Sequence, residues 1–448
     1  MNGLLQIASY PVLCSAMSFA FGQNQDVKPN LLLIVLDDLG YADLSCQGSP
    51  DIRTPNIDAL AESGIRFTAG YVPVSVCGPS RASLLTGRYA AGFGIQGNGD
   101  AEIGIPLETK NIAEYLKRGG YSTKAIGKWH LGFSLEQSPL ARGFDEFCGH
   151  LSGGVNYLPF SPSGEKWNLD RDRGKIQKNG VDLGVGDLPA DTYLTDLFTQ
   201  EAVQFIEQSR QNPFFIYLAY NAPHAPVMAP DHYVQRNSHI DDDMRRKFAG
   251  MMSAVDDGIG SIIDALKKAG LYENTLIVLL SDNGGPTGVN TSLNTPFRGV
   301  KGDVFEGGVR IPFMMSWPGT IRKEQVYDKP VVSLDILPTF LSAAGITVND
   351  AFNGIDLLPW IKDAQRSEYP HDLLFFWRAG RRAARFKDIK LTNAQLGSKA
   401  ELHNIVENYV EDPLSKIKDS ETQQMLFDKI TEWDSGWAPP VSGIINGE

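Results

Sequence analysis

Leu31-Leu32-Leu33-Ile34-Val35-Leu36, followed directly by Asp37-Asp38, sets the reading of the whole chain. An unbroken apolar run of this length is what a strand buried on both faces of a parallel sheet requires. The same pattern recurs. Tyr121–Ile126 delivers Gly127-Lys128-Trp129-His130, Pro213–Tyr220 delivers Asn221-Ala222-Pro223-His224, and Thr275–Leu280 delivers Ser281-Asp282-Asn283-Gly284. Helical stretches lie between them. Thr54-Pro55 opens one that runs through Ala61, Asn111–Lys117 closes on Gly119-Gly120, and Thr192–Gln208 and Asp241–Ala269 are longer. Strand, polar loop and helix in repetition predict an α/β fold, in which the ligand crevice lies at the carboxyl ends of the strands.

Around residues 345–370 the pattern changes. Asn353-Gly354 and Pro359 punctuate a loop, Leu373–Trp377, Arg381–Phe386 and Asp388–Leu391 read as short strands, and Glu421–Trp433 reads as a last helix. The expectation is a large mixed, mostly parallel sheet sandwiched by helices over residues 23–362, then a smaller C-terminal antiparallel sheet plus helix over 363–448. Residues 1–22 read as a secretory signal peptide: Leu4–Phe21 is mostly apolar, with Ser15, Ala16, Ser18 and Ala20 near its end. This predicts an exported protein, periplasmic or extracellular, with Cys14 leaving lipoprotein anchoring open. No other apolar run approaches the roughly twenty residues of a transmembrane anchor.

A formal charge of −12 argues against nucleic acid as a partner. It permits an anionic substrate in a cleft lined locally by Lys, Arg and His. The cysteines, Cys14, Cys46, Cys77 and Cys148, have no zinc-ligand spacing and are too few for a disulfide scaffold. A Cys46–Cys148 bridge stays open.

The strongest chemical signal is Cys77-Gly78-Pro79-Ser80-Arg81, continued by Ala82-Ser83-Leu84-Leu85-Thr86-Gly87-Arg88. A lone Cys is ordinarily a small buried hydrophobe. Here Pro79 suits the first turn of a helix. That puts residue 77 at a helix N-terminus, where free N–H groups favour anions, and sets Arg81 one turn along. Asp37-Asp38 and Asp282-Asn283 end two different buried strands. Crowded acids there need a cation or several donors, and these hard oxygen donors suit Ca²⁺ or Mg²⁺ rather than zinc.

The Cys77–Arg88 segment resembles the signature of the formylglycine-dependent sulfatases, arylsulfatase-like members of the alkaline phosphatase superfamily. There Cys-x-Pro-x-Arg is recognised by a formylglycine-generating enzyme, and the Cys is oxidised to formylglycine. Gly127-Lys128-Trp129-His130-Leu131-Gly132 is similar to a motif of the same family, and the resemblance runs from Lys28 to beyond Lys387. It implies an alkaline-phosphatase-like fold and a sulfuric ester hydrolase in which Cys77 is modified. The cation, usually calcium, would be held by Asp37, Asp38, Asp282, Asn283 and residue 77.

The resemblance also implies a catalytic set of Cys77, Arg81, Lys128, His130, His224 and Lys301. Lys128 would hold the nucleophile's oxygen and the sulfate. His130 would act as the base that collapses the covalent intermediate. His224, in Asn221-Ala222-Pro223-His224-Ala225-Pro226, would contact the sulfate and the leaving oxygen. Lys301, in Phe297-Arg298-Gly299-Val300-Lys301-Gly302, would be the last sulfate-binding Lys. Glu306-Gly307-Gly308-Val309-Arg310 would buttress the site.

His150, Asn156 and Tyr157, after Gly143-Phe144-Asp145, look similar to the sugar-pocket loops of exo-acting carbohydrate sulfatases. Trp377-Arg378 reads as able to reach the cleft rim. A sulfated sugar or oligosaccharide is the substrate this implies. Two rivals stay open. One is a phosphoester or phosphonate hydrolase of the same superfamily, because sulfate and phosphate share tetrahedral geometry. The other is a catalytically inactive sulfoglycan-binding protein, against which the complete catalytic set stands.

Overall fold

The computed structural model describes residues 28–158, 175–184, 186–209, 212–362, 368–393 and 400–443. The expected signal peptide over 1–22, with Cys14, lies outside the described residues.

Asn30–Leu36 lies inside a ten-stranded sheet, and every one of its residues is buried. Its side chains alternate between faces. Leu31, Leu33 and Val35 enter one core with Leu84 and Leu85 of the helix Cys77–Thr86. Leu32, Ile34 and Leu36 enter another, beneath the helices Leu194–Gln208 and Asp243–Lys268. With apolar partners on both sides, the positions from Leu31 to Leu36 are all apolar, which explains the unbroken run; Asn30, at the strand's start, is buried with its Oδ1 accepting the Phe214 N–H at 3.2 Å.

Phe214–Ala219 and Thr275–Ser281 flank this strand in parallel, with Leu33 opposite Tyr217 on one side and Val278 on the other. Ser122–Lys128 and Glu146–His150 continue the parallel array beyond Phe214–Ala219. Phe313–Ser316 runs antiparallel to Thr275–Ser281. Ile65–Phe67 and Gln325–Tyr327 close that edge, and Gln177–Lys178 and Val181–Asp182 close the other. The sheet is therefore mixed with a parallel centre, and all the polar motifs leave it at the same end.

Of the strands whose limits differ from expectation, one bears on the site. Ser122–Lys128 extends two residues past Ile126, so Lys128 projects from the strand itself rather than from the following loop. Gly127 makes this possible: its φ is +93°, and a Cβ there would lie 1.9 Å from the Ala219 carbonyl oxygen.

The C-terminal segment is a four-stranded antiparallel sheet, Leu373–Arg378, Arg381–Phe386, Ile389–Asn393 and Glu401–Asn404, with the helix Ser420–Ser435 against it. Glu401–Asn404 adds a strand to the three read from the sequence. Ala384, Leu391, Leu402, Leu426 and Ile430 form the small core between sheet and helix. From the other face Leu374, Phe376 and Ala383 enter the main core, while Trp377, on the side facing the helix, packs on Trp433.

A buried charge network joins the two parts. Glu306 Oε1 accepts from Lys390 Nζ at 2.8 Å, and Oε2 accepts from the Tyr71 hydroxyl at 2.6 Å and from Arg310 at 3.2 Å. Lys390 also lies 3.1 Å from Glu411 Oε1, while Glu411 Oε2 accepts from the Glu306 backbone N–H at 2.6 Å. Burial alone would raise the Glu306 carboxyl. Lys390, Arg310 and Arg385 overcome that and hold it at about 2. Cys46 and Cys148 are free thiols, so the bridge left open between them does not form.

Candidate active site

Cys77 is the first residue of its helix, and Asn98 Oδ1 accepts the Gly78 N–H at 3.1 Å. The thiol points at the end of the central strand: Sγ lies 3.5 Å from Asp37 Oδ1 and 3.9 Å from Asp38 Oδ1. Lys301 Nζ donates to Sγ at 3.1 Å and to Asp38 Oδ2 at 2.8 Å. Lys128 Nζ donates to Asp37 Oδ2 at 2.6 Å. His224 Nε2 lies 3.5 Å from Asp38 Oδ2, while its Nδ1 faces the Ala225 carbonyl at 2.6 Å. That carbonyl can only accept, so Nδ1 carries the proton and Nε2 is turned to the site. Peptide bonds Ala222–Pro223 and Ala225–Pro226, on either side of His224, are cis.

Arg81 is buried and grips Asp282 Oδ2 through Nε at 3.0 Å and NH2 at 2.8 Å, with Asp37 Oδ1 3.6 Å from the same NH2. Asp282 Oδ1 accepts the Asp38 N–H at 3.2 Å, and Asn283 Nδ2 donates to Asp38 Oδ1 at 2.7 Å. Three strand ends thus place Asp37, Asp38, Asp282, Asn283 and Lys128 around one point, and loops bring Cys77, His224 and Lys301 to it.

The electrostatics show strain that the protein alone does not relieve. Burial and the neighbouring Asp37 push the Asp282 carboxyl up to about 7 in spite of Arg81. Burial also acts upward on Asp37, but Lys128, His224, Arg81 and Lys301 hold it well below the usual carboxylate range. Ligand atoms of Asp37, Asp38, Cys77 and His224 all lie within 4.8 Å of one another. Asn283 Oδ1 is buried and has no hydrogen-bond partner among the described residues. Oxygen donors around a crowded acidic point, one of them orphaned, fit a hard divalent cation. Asp38 and His130 carry φ values of 65° and 56°, in the left-handed region that side chains usually avoid, so the backbone is strained at both site residues.

Cys77 itself is a poor nucleophile as a thiol, since burial, with Asp37 and Asp282 nearby, raises it to about 12. His130 is neutral: burial, then Lys128 and Arg81, press its imidazole well below the ordinary value, and its buried Nδ1 has no partner among the described residues.

The sugar-pocket candidates take different positions. His150 is buried at the end of Glu146–His150, opposite Lys128, with Nδ1 3.1 Å from Ser152 Oγ and Nε2 unpartnered among the described residues. Asn156 is buried, and its Oδ1 accepts the Leu158 N–H at 2.9 Å. The Tyr157 hydroxyl donates to the Asn221 carbonyl and lies 2.7 Å from that of His224, which braces the His224 loop. Sequence reasoning passed over two residues here. Asn290 Nδ2 donates to the Asp38 and Pro223 carbonyls, each at 3.2 Å, tying the acidic loop to the His224 loop. Asn221 buries both side-chain amide atoms without a partner among the described residues. Asn290 ends the four-residue helix Thr287–Asn290, too short for a pattern to mark it, whereas Asn221, at a strand end beside the flagged His224, was within reach of the same reasoning.

Residues 29–346 match the family described as Sulfatase, and residues 301–413 match the C-terminal region of N-sulphoglucosamine sulphohydrolase. The chain belongs to the sulfatase family. It is similar to the uncharacterized sulfatase YdeN of Escherichia coli strain K12, at 34% identity over 399 residues, 77% of this chain and 68% of that protein. Mouse N-acetylgalactosamine-6-sulfatase is 35% identical over 369 residues, 78% of this chain and 69% of its own. Among solved structures, Ps i-CgsB bound to k-i-k-neocarrahexaose superposes with a TM-score of 0.85 at 36% identity, over 92% of this chain and 94% of that one.

This sulfatase is accordingly a sulfuric ester hydrolase with the alkaline-phosphatase-like fold. The phosphonate monoester hydrolase SpPMH of Silicibacter pomeroyi shares that fold at a TM-score of 0.68 and 20% identity, over 92% of this chain and 96% of that one. Fold alone therefore does not choose between sulfate and phosphonate chemistry. Among the described residues no helix is long and apolar enough to cross a membrane.

Proposed function

We propose that this sulfatase is exported and removes O-sulfate groups from a sulfated sugar or oligosaccharide. Cys77, converted to formylglycine by a formylglycine-generating enzyme, supplies the nucleophile. Asp37, Asp38, Asp282, Asn283 and residue 77 hold Ca²⁺, or Mg²⁺ in its place. The observation that carries this reading is the meeting of Lys128, Lys301 and His224 with Cys77 over a cluster of carboxylates, because two cations and an imidazole there can receive a tetrahedral anion. Sugar as the substrate class is supported by the similarity to mouse N-acetylgalactosamine-6-sulfatase and to the oligosaccharide-bound Ps i-CgsB.

When bound, the cation would lower the charge on the sulfate oxygens, and the hydrated aldehyde at position 77 would provide an oxygen nucleophile in place of an inert thiol. The chain's own residues do the rest. Lys128 Nζ and Lys301 Nζ, now on Asp37 and Asp38, turn to the sulfate oxygens and hold sulfur in line with residue 77. Arg81 stays on Asp282 and keeps that carboxylate ionised. His224 Nε2, unprotonated at rest because Nδ1 carries the proton, takes up the proton that the attacking hydroxyl of residue 77 loses and passes it to the departing oxygen. His130, neutral through burial, accepts at Nδ1 the proton whose loss releases sulfate. His150, Asn156 and Tyr157 shape the sugar side, with Tyr157 acting through the His224 loop.

The test is mass spectrometry of the tryptic fragment Phe67–Arg81 from active protein, with sulfate release measured on sulfated sugars and on a matched aryl sulfate and aryl phosphate. Formylglycine at position 77 with sulfate-selective turnover is expected. An unmodified thiol in active protein would sink the mechanism, and preference for the phosphate would sink the substrate.

A further inference from the structure

The hairpin formed by Leu373–Arg378 and Arg381–Phe386 meets the catalytic segments on both of its strands. The Trp377 N–H donates to the Pro73 carbonyl at 3.1 Å, and Trp377 bridges to Val74, three residues before Cys77. On the other strand Arg381 pairs with Asp303 and donates to the Gly302 carbonyl at 3.3 Å, next to Lys301. Gly302 in turn donates its N–H to the Ser75 carbonyl at 2.9 Å. The tip of the hairpin therefore sits where the chains carrying Cys77 and Lys301 come together.

Arg378 stands at that tip, paired across the hairpin with Arg381. It is half-buried. Among the described residues no carboxylate pairs with it and no carbonyl accepts from its guanidinium. Its charged neighbour is Arg381, of the same sign, and burial together with that neighbour lowers its pKa. Other arginines of comparable or deeper burial are answered: Arg142 by Glu114, Arg245 by Asp43 and Asp51, Arg310 by Glu306, Arg382 by Asp434. A chain with a net charge of −12 has acids to spare, yet none among the described residues is placed against Arg378. A desolvated, unpaired guanidinium is unfavourable, and its planar fork matches a carboxylate or sulfate in two parallel hydrogen bonds.

We propose that Arg378 forms an anionic subsite that binds a second acidic group, a sulfate ester or a carboxylate, carried by the sugar portion of the substrate away from the sulfate being removed. This rests on the reading of the substrate as a sulfated sugar or oligosaccharide. Arg381, held on Asp303, sets the hairpin tip, and Arg378 selects for the extra charge.

The test compares the full-length, matured enzyme with R378Q and R378K on three disaccharides carrying the same cleavable sulfate: one otherwise neutral, one with a second sulfate, and one with a uronate carboxylate. A 4-nitrophenyl sulfate assay runs alongside. In R378Q the KM for the doubly anionic sugars, relative to the singly sulfated one, should rise roughly 10- to 100-fold, the effect of losing a charged hydrogen-bond pair, and R378K should recover part of it. A rise confined to the second sulfate or to the uronate identifies which group the subsite takes. An unchanged ratio, or equal losses on every substrate including the aryl sulfate, overturns the subsite while leaving the sugar reading intact. Wild-type turnover of the aryl sulfate with no turnover of any sugar overturns both.

Discussion

Lys390→Met should be strongly destabilising although it lies outside the catalytic cluster. Lys390 is fully buried and stands between two buried carboxylates, 2.8 Å from Glu306 and 3.1 Å from Glu411. Met fills a similar volume, so packing changes little and the loss is electrostatic. Removing one member of a buried ion pair leaves an uncompensated charge and costs about 3–5 kcal/mol. Here Arg310 and Arg385 still face Glu306, so the lower part of that range applies. The pH dependence follows from the same contacts. In the wild type Glu306 is held at about 2 against an ordinary 4.5, so its contribution is fully present above pH 4.5 and is lost as pH falls through 2. Without Lys390, burial raises both acids, and the variant's deficit should be greatest near neutrality and shrink on acidification as they take up protons. Chemical denaturation followed by tryptophan fluorescence reports directly on this region, because Trp377 and Trp433 pack within the C-terminal subdomain at 5.6 Å. The double variant K390M/E411Q, with one charge fewer, should regain part of the loss. A deficit below about 1 kcal/mol at pH 7, the size of an exposed pair, or one that grows on acidification, would refute the reasoning.

Two further outcomes test the site. Calcium should raise the thermal midpoint of the wild type, by the equivalent of about 2.7 kcal/mol at a hundred times its dissociation constant, and Asn283→Ala should need at least roughly tenfold more calcium for the same shift, by calorimetric titration; equal affinity would remove Asn283 from the cation site. Asn290→Ala should lower kcat on an aryl sulfate by roughly 10- to 100-fold through misplacement of the Asp38 and His224 loops, with the calcium-free unfolding midpoint nearly retained; wild-type kcat would show that the tie between those loops does not matter to the chemistry.

The parallel centre of the sheet was legible because burial on both faces forces a composition, and Leu31–Leu36 and Thr275–Leu280 carry it openly. The residues at the strand ends were legible for a related reason: a carboxylate or Lys directly after such a run has no structural excuse. What escaped was set by tertiary context. Gln177–Lys178 and Val181–Asp182 are two-residue edge strands with no room for periodicity. Glu401–Asn404 shows no alternation, with Leu402 and His403 both buried between half-exposed Glu401 and Asn404, so nothing in it separates a strand from a loop. Nothing in their sequence surroundings marks Glu411 and Lys390, and only their burial against Glu306 gives them a role. Lys128, expected in the loop after Ile126, lies in the strand itself, because the missing Cβ of Gly127 lets the strand continue past Ala219.

The seat of Cys77 also bears on the order of events during biosynthesis. In the folded chain the thiol is 2% exposed, closed in by Asp37, forty residues earlier, and by Lys301, 224 residues later. Those contacts cannot form until Lys301 has been synthesised and the distant strands have paired, and non-local parallel pairing is slow. An enzyme that converts this cysteine therefore has its opportunity while the N-terminal part of the chain has emerged and the C-terminal part has not. Once the loop bearing Lys301 docks, the side chain is sealed in whatever oxidation state it has reached. On the proposed conversion of Cys77, maturation would be a race between a catalyst and chain closure, and a variant that folds faster would leave a larger fraction of molecules permanently unconverted.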